Sequence, residues 1–160
     1  MSDLKTLHDA DLLAWSKEQA EALRAAASAG SNLALDWENL AEEIEDLGAA
    51  QKSRLHSQVR RIIQHLLKLE YSPARDPRHG WIESIDNARV EIDYLLETSP
   101  SLRSEMSATI AAETKRAVRL VGRALEAYGE LDRDTARRLR ARTFTEEQIL
   151  GDWFPPAPAC

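Results

Sequence analysis

The stretch Asp36-Trp37-Glu38-Asn39-Leu40-Ala41-Glu42-Glu43-Ile44-Glu45-Asp46-Leu47-Gly48 holds six carboxylates, a tryptophan and the start of an apolar ladder. Leu40, Ile44 and Leu47 are separated by steps of four and three. The same stepping continues through Gly48, Gln51, Leu55, Val59, Ile62, Leu66 and Leu69, with no proline before Pro73. That period is the signature of one face of an α-helix. Asp36 can cap the helix by accepting a backbone N–H, and Glu38 sits near the positive end of the helix dipole. About 33 residues at about 1.5 Å each give a rod close to 50 Å long, along which the remaining elements are expected to pack.

On the N-terminal side, Asp9 is placed to cap a first helix, with Asp11 in its opening turn and Leu12, Trp15, Ala22, Leu23 and Ala26 at helical spacing. Gly30 ends it. Leu33 and Leu35 in the linker are expected to pack against the bundle. On the C-terminal side, residues 71–80 hold two prolines, a glycine and a serine, and predict a reversing loop. A third helix follows with the stripe Trp81, Ile85, Ala88, Ile92 and Leu95. Ser99-Pro100 reads as a cap followed by proline at the first helical position. The fourth helix carries Leu102, Met106, Ile110, Glu113, Ala117, Leu120, Ala124 and Tyr128, and ends near Gly129. A basic helix from Asp132 to Arg142 and a capping box at Thr145-Glu146-Glu147-Gln148 complete the chain. The fold class is all-α: an antiparallel four-helix bundle with one long central helix and one or two short C-terminal helices, as a single domain over residues 1–160. Residues 1–8 and 156–160 are expected to fray.

A length of 160 residues suits one domain with its own core, and 43% hydrophobic with 30% charged residues is the balance of a soluble helical protein. No apolar run approaches the roughly 18 residues of a membrane span, and Met1-Ser2-Asp3-Leu4-Lys5 lacks a secretory pattern, so the expected location is the cytoplasm. The single cysteine, Cys160, provides neither an internal disulfide nor a thiolate metal site. The net charge of −6 counts against nucleic acid, but it hides an alternation. Residues 1–50 carry three basic and eleven acidic side chains, 51–79 seven and two, 80–114 two and seven, and 115–142 nine and four. Neighbouring helices of opposite sign attract one another, so much of this charge is expected to pair within the molecule.

The segment Asn39-Leu40-Ala41-Glu42-Glu43-Ile44-Glu45-Asp46-Leu47-Gly48 resembles the bacterial family known as domain of unknown function twenty-nine. Trp15-Ser16-Lys17-Glu18-Gln19-Ala20 with Leu23-Arg24, His65-Leu66-Leu67-Lys68 with Tyr71 and Pro73, and Trp81, Ile85 and Arg89 follow in the family's order. Ser99-Pro100-Ser101-Leu102 and Phe144-Thr145-Glu146-Glu147-Gln148-Ile149-Leu150 complete it. The resemblance spans nearly the whole chain and implies a prokaryotic helical bundle, with no activity, substrate or cofactor to carry over. Between Glu113 and Arg142 the sequence departs from the family's pattern, which has a Glu-Thr-Gly turn.

The acidic run invites a metal site, but carboxylate-bridged centres on bundle helices need a Glu-x-x-His spacing that is missing. Glu38, Glu42 and Glu45 are predicted to face water, and no metal or cofactor is expected. Glu43 flanks the apolar stripe and is placed to tie the first helix through Gln19, while Gly48 makes room for Trp15. His65, Tyr71, Trp81, Arg89 and Glu113 form the candidate polar pocket, with Arg89 and Glu113 expected to pair, since a lone buried charge is costly. Arg116, Arg119 and Arg123 share a helix face and form a candidate basic surface. Acidic residues are interleaved and aromatics are few, which disfavours nucleic acid and suits an acidic protein partner. No catalytic motif is present. The reading is a binding or regulatory module acting through protein–protein contacts, with a homodimer as one arrangement. A small enzyme or ligand pocket near His65 and a nucleic-acid binder using the arginines of 115–142 are the alternatives.

Overall fold

A computed structural model describes residues 4–159, and among them every regular element is helical. In chain order these are α1 (Leu4–Ala10), α2 (Leu12–Ser28), α3 (Trp37–Tyr71), α4 (Arg78–Thr98), a 3-10 segment (Pro100–Glu105), α5 (Met106–Ala127), α6 (Arg133–Ala141) and α7 (Glu146–Leu150). The long helix is the 35-residue α3. Part of the stretch expected to fray is α1, while residues 1–3 and Cys160 lie outside the described residues. The residues divide into two units, Met1–Arg54 with Tyr94–Ser104, and Leu55–Asp93 with Glu105–Cys160.

In the first unit the cap of α2 is Asp11, not Asp9. Its Oδ1 accepts from the Ala14 amide at 2.9 Å, and the same carboxylate accepts from the Ser101 amide at 2.7 Å and the Ser101 hydroxyl at 2.9 Å. Asp9 lies inside α1, which runs to Ala10, so the first residue free to cap α2 is Asp11. Ser99, expected to cap the next α-helix, is buried and its hydroxyl accepts from the Leu13 amide at 3.2 Å. The helix after it is 3-10 rather than α. At about three residues per turn instead of about 3.6, six residues rotate the helical pattern by roughly 120°.

The front of α3 buries Ala41 and Gly48, not the leucines of the ladder. Leu40 is 38% and Leu47 46% exposed, and the linker residues Leu33 and Leu35 are exposed as well. Gly48 is needed for α2, but not for Trp15. A Cβ at this position would lie 2.6 Å from Ser16 Oγ and 2.8 Å from Leu13 Cδ1. Trp15 instead packs its ring edge-on against His8, with centroids 4.7 Å apart. Gly48→Ala gains about 1 kcal/mol of helix propensity and loses about 1–3 kcal/mol to overpacking. A net fall in stability is expected in urea denaturation; an unchanged midpoint would mean that α2 moves aside freely. Glu43 is exposed and makes no bond to Gln19. The tie between these helices is Arg24, whose guanidinium donates to Glu45 at 2.9 Å and lies 3.5 Å from Glu38. Those two carboxylates, expected to face only water, share one arginine.

The second unit holds the larger core. Leu55, Val59, Ile62, Ile63, Leu66, Leu67 and Leu69 of α3 are buried, with Ile85, Ala88 and Ile92 of α4 and Met106, Ile110, Ala117, Val121 and Leu125 of α5. The rear of α5 follows Val121 and Leu125, leaving Leu120 and Tyr128 exposed where they were expected inside. Helix α5 stops at Ala127, and Gly129, just past its C-cap Tyr128, takes φ +69°. Asp132 caps α6 through the Thr135 amide, and α6 buries Leu139. The capping box at Thr145 and Gln148 forms as read from the sequence.

Candidate functional site

Glu113 is fully buried on α5, and two guanidiniums and an imidazole converge on it. His56 Nδ1 donates to Oε1 at 2.8 Å, Arg60 donates to Oε2 at 3.1 Å, and Arg116 donates to Oε1. His56 and Arg60 stand one turn apart on α3; Arg116 stands one turn beyond Glu113 on α5. Burial by itself would raise the carboxyl of Glu113. The hydrogen bonds from His56 and Arg116 and the charges of Arg116 and Arg60 outweigh it and hold the group below the usual carboxylate range. The Nδ1–H bond fixes the imidazole tautomer and leaves Nε2 on the far side, 3.4 Å from the Thr109 hydroxyl.

Arg89, the other buried charge, is not the partner of Glu113. Its Nε donates to the Ile149 carbonyl at 2.9 Å, and one terminal nitrogen donates to the carbonyls of Gln148 at 3.1 Å and Trp153 at 2.8 Å. Its guanidinium also lies 4.8 Å from the centre of the Phe154 ring. Arg89 therefore clamps the C-terminal segment onto α4.

The other members of the expected pocket are also dispersed. Trp81 has the Lys68 ammonium 5.9 Å from its ring centre and lines a cavity of about 360 Å³ with Ser72, Tyr128 and Glu130. Tyr71 lies under Arg138 at 5.4 Å. His65 lines neither this cavity nor the depressions along α5 and α6, and its Nδ1 is buried without a partner. Burial, assisted by the nearby charges of Lys68 and Arg61, pushes the His65 imidazole down to about 4. An unfolded histidine titrates near 6.5, so the unfolded chain takes up this proton first. Stability is expected to fall as the pH drops from about 6.5 towards 4, by about 1–2 kcal/mol after solvent screening. His65→Gln should flatten that part of the pH–stability curve; an unaltered slope would place the acid sensitivity elsewhere.

The arginines of the expected basic surface divide between two places. Arg116 belongs to Glu113. Arg119 and Arg123 border a depression of about 390 Å³ between α5 and α6, with Lys115 and Arg140 on its rim and Val118, Gly122, Leu131, Ala136 and Leu139 lining it. Among the described residues, none of Lys115, Arg119, Arg123 and Arg140 has a carboxylate within ion-pair range; Arg140 donates only to the Ala136 carbonyl. Lys115 and Arg140 also border a second depression of about 440 Å³ that runs on past Thr114, Thr143 and Phe144. The first depression is a basic groove with an apolar floor, and the second, which Glu146 also lines, adjoins it at Lys115 and Arg140.

The family model described as "Domain of unknown function DUF29" matches residues 7–154. The chain belongs to the DUF29 family. The crystal structure of an alpha-helical protein of unknown function from Rhodospirillum rubrum ATCC 11170 is similar to this DUF29 chain, with a TM-score of 0.68 and 25% identity over 92% of this chain and 98% of that one. No curated protein matches the chain. Family and structural neighbour are both of unknown function, and neither points to a specific activity.

His56 and Arg60 are the site residues that the sequence reading missed. A signal for them exists. Each directly follows a core position, Leu55 and Val59, so the pair runs along the edge of the apolar stripe where a long polar side chain can reach a buried partner.

Proposed function

We propose that this DUF29 protein is a cytoplasmic binding module that acts through protein–protein contacts, with the α5–α6 groove as its binding surface and a second copy of the chain as its occupant. The observation that carries this reading is the set of four cations without carboxylate partners around an apolar floor. Such a groove suits a helix that presents leucines among carboxylates. The exposed face of α3 has that chemistry: Leu40, Glu43, Asp46, Leu47 and Ala50 lie side by side, and all are exposed. Among the described residues, its carboxylates Glu43 and Asp46 have no cation partner, whereas Glu38 and Glu45 are taken by Arg24. Charge complementarity therefore joins two surfaces of the same chain, one offered and one accepting.

The test is mass against concentration by light scattering at low and high salt. Self-association that weakens with salt is expected, reduced by Arg119→Glu and by Glu43→Arg, and recovered when both are combined in one chain. A monomer at every concentration would overturn the second copy as occupant. Binding of a labelled oligonucleotide that is lost on neutralising Arg116, Arg119 and Arg123 would favour nucleic acid instead. No helix of the described residues is long and apolar enough to cross a membrane.

A further inference from the structure

We infer that His56, Arg60 and Arg116 form a binding site for a small phosphate-type oxyanion, with Glu113 as the buried strut that holds them together. The charges do not balance. Two guanidiniums and an imidazole meet a single carboxylate, and neither arginine has another carboxylate partner among the described residues. A cluster serving only to tie α3 to α5 would need one cation; this one has a second guanidinium, whose charge is left over.

The surplus lies at the surface. Glu113 is sealed off, whereas the side chains of His56 and Arg60 are each 35% exposed and that of Arg116 is 51% exposed. A guanidinium has five N–H donors in a rigid fork. Arg60 and Arg116 each present one terminal nitrogen to Glu113, which leaves further donors for another acceptor. All three side-chain tips lie within hydrogen-bond range of the same carboxylate and so stand within several ångströms of one another. A tetrahedral oxyanion has the size and charge to bridge them, and arginine forks match its oxygen geometry.

Preorganisation is already built in. His56 and Arg60 share one turn of α3, Glu113 and Arg116 share one turn of α5, and the buried carboxylate fixes the direction of each side chain. The ligand would therefore meet ordered donors and incur little of the usual ordering cost. The chemistry recognised is the phosphate group, whether free or as the monoester of a small molecule. The site is separate from the α5–α6 groove, because His56, Arg60, Glu113 and Arg116 do not line it.

The experiment titrates the isotopically labelled full chain with inorganic phosphate and with phenyl phosphate at constant ionic strength, chloride serving as the control. The signals followed are the His56 imidazole and the Arg60 and Arg116 side-chain N–H groups. Saturable shifts confined to these groups, absent with chloride, are expected. Tighter binding of phenyl phosphate would assign the site to monoesters, and equal or weaker binding to free phosphate. Arg116→Gln should weaken phosphate at least about tenfold, the worth of one charge-assisted hydrogen bond, while Arg119→Gln leaves it unchanged. A linear, non-saturating response in the unaltered chain would overturn the proposal whether or not the variants fold. So would equal phosphate affinity of Arg116→Gln and the unaltered chain. Neither result bears on self-association through Arg119.

Discussion

Glu113→Leu is expected to destabilise the protein by about 3–5 kcal/mol, the usual consequence of removing one partner from a buried charge cluster. The loss exceeds that of the hydrogen bonds themselves. Without the carboxylate, Arg60 and Arg116 face one another as like charges, and the donors aligned on it, His56 Nδ1–H among them, must find water or turn away. Glu113→Gln keeps the shape and one acceptor, so a smaller loss is expected. Combining Glu113→Leu with Arg60→Met and Arg116→Met should recover much of the stability, because replacing the carboxylate together with both guanidiniums leaves neither arginine charge unpaired. Urea unfolding of the series measures this; a triple variant as weak as Glu113→Leu alone would show that packing, not charge, dominates there. The pH dependence has a definite sign. The folded carboxyl lies below its ordinary range, so its contribution is fully present above the unfolded value of about 4.3 and is lost as the pH falls through the depressed folded value.

Arg89→Met is expected to cost about 3–4 kcal/mol, from three carbonyls that lose their charged donor at about 1 kcal/mol or more each. The side chain accounts for the docking of Gln148, Ile149 and Trp153, and it lies against Phe154. Arg89→Lys should rescue little, since an ammonium cannot reproduce the divergent donors of a guanidinium. Limited proteolysis gives a second readout. In Arg89→Met, cleavage is expected to begin within residues 143–154 while the helices α3 to α5 remain intact. Protection equal to that of the unaltered chain would show that Ile149 and the capping box hold this segment without the arginine.

The length of α3, the cap at Asp36, and the box at Thr145 were legible because each depends on residues within one or two helical turns. The burial of Arg89 and Glu113 was legible too, since Glu113 lies in an apolar stripe and Arg89 flanks one. Their pairing was not. It assumed an α-helical turn after Pro100, where the chain winds as a 3-10 helix and changes the phase of α5. Which leucines of α3 face inwards was hidden for a related reason. A stripe of Leu40, Ile44 and Leu47 is apolar wherever it points, while the contact that α2 makes at Gly48 turns Ala41 inwards and leaves Leu40 and Leu47 outside. His56 and Arg60 escaped because a polar residue beside a core position reads as solvent-facing until its buried partner is known. The groove was half visible: Arg119 and Arg123 stood out as a pair on one face, but Arg140 joins them only through the packing of α6.

Helix α3 is one unbroken hydrogen-bonded rod whose two stretches are anchored very differently. From Trp37 to Arg54 it buries only Ala41 and Gly48; from Leu55 to Tyr71 it buries seven large aliphatic side chains. Regular geometry therefore conceals a gradient. Backbone amides in the first stretch should exchange with deuterium through local opening, whereas those after Leu55 should exchange only as the surrounding core gives way. A single helix would then report two opening energies, and uniform protection from end to end would show that the rod opens as one piece.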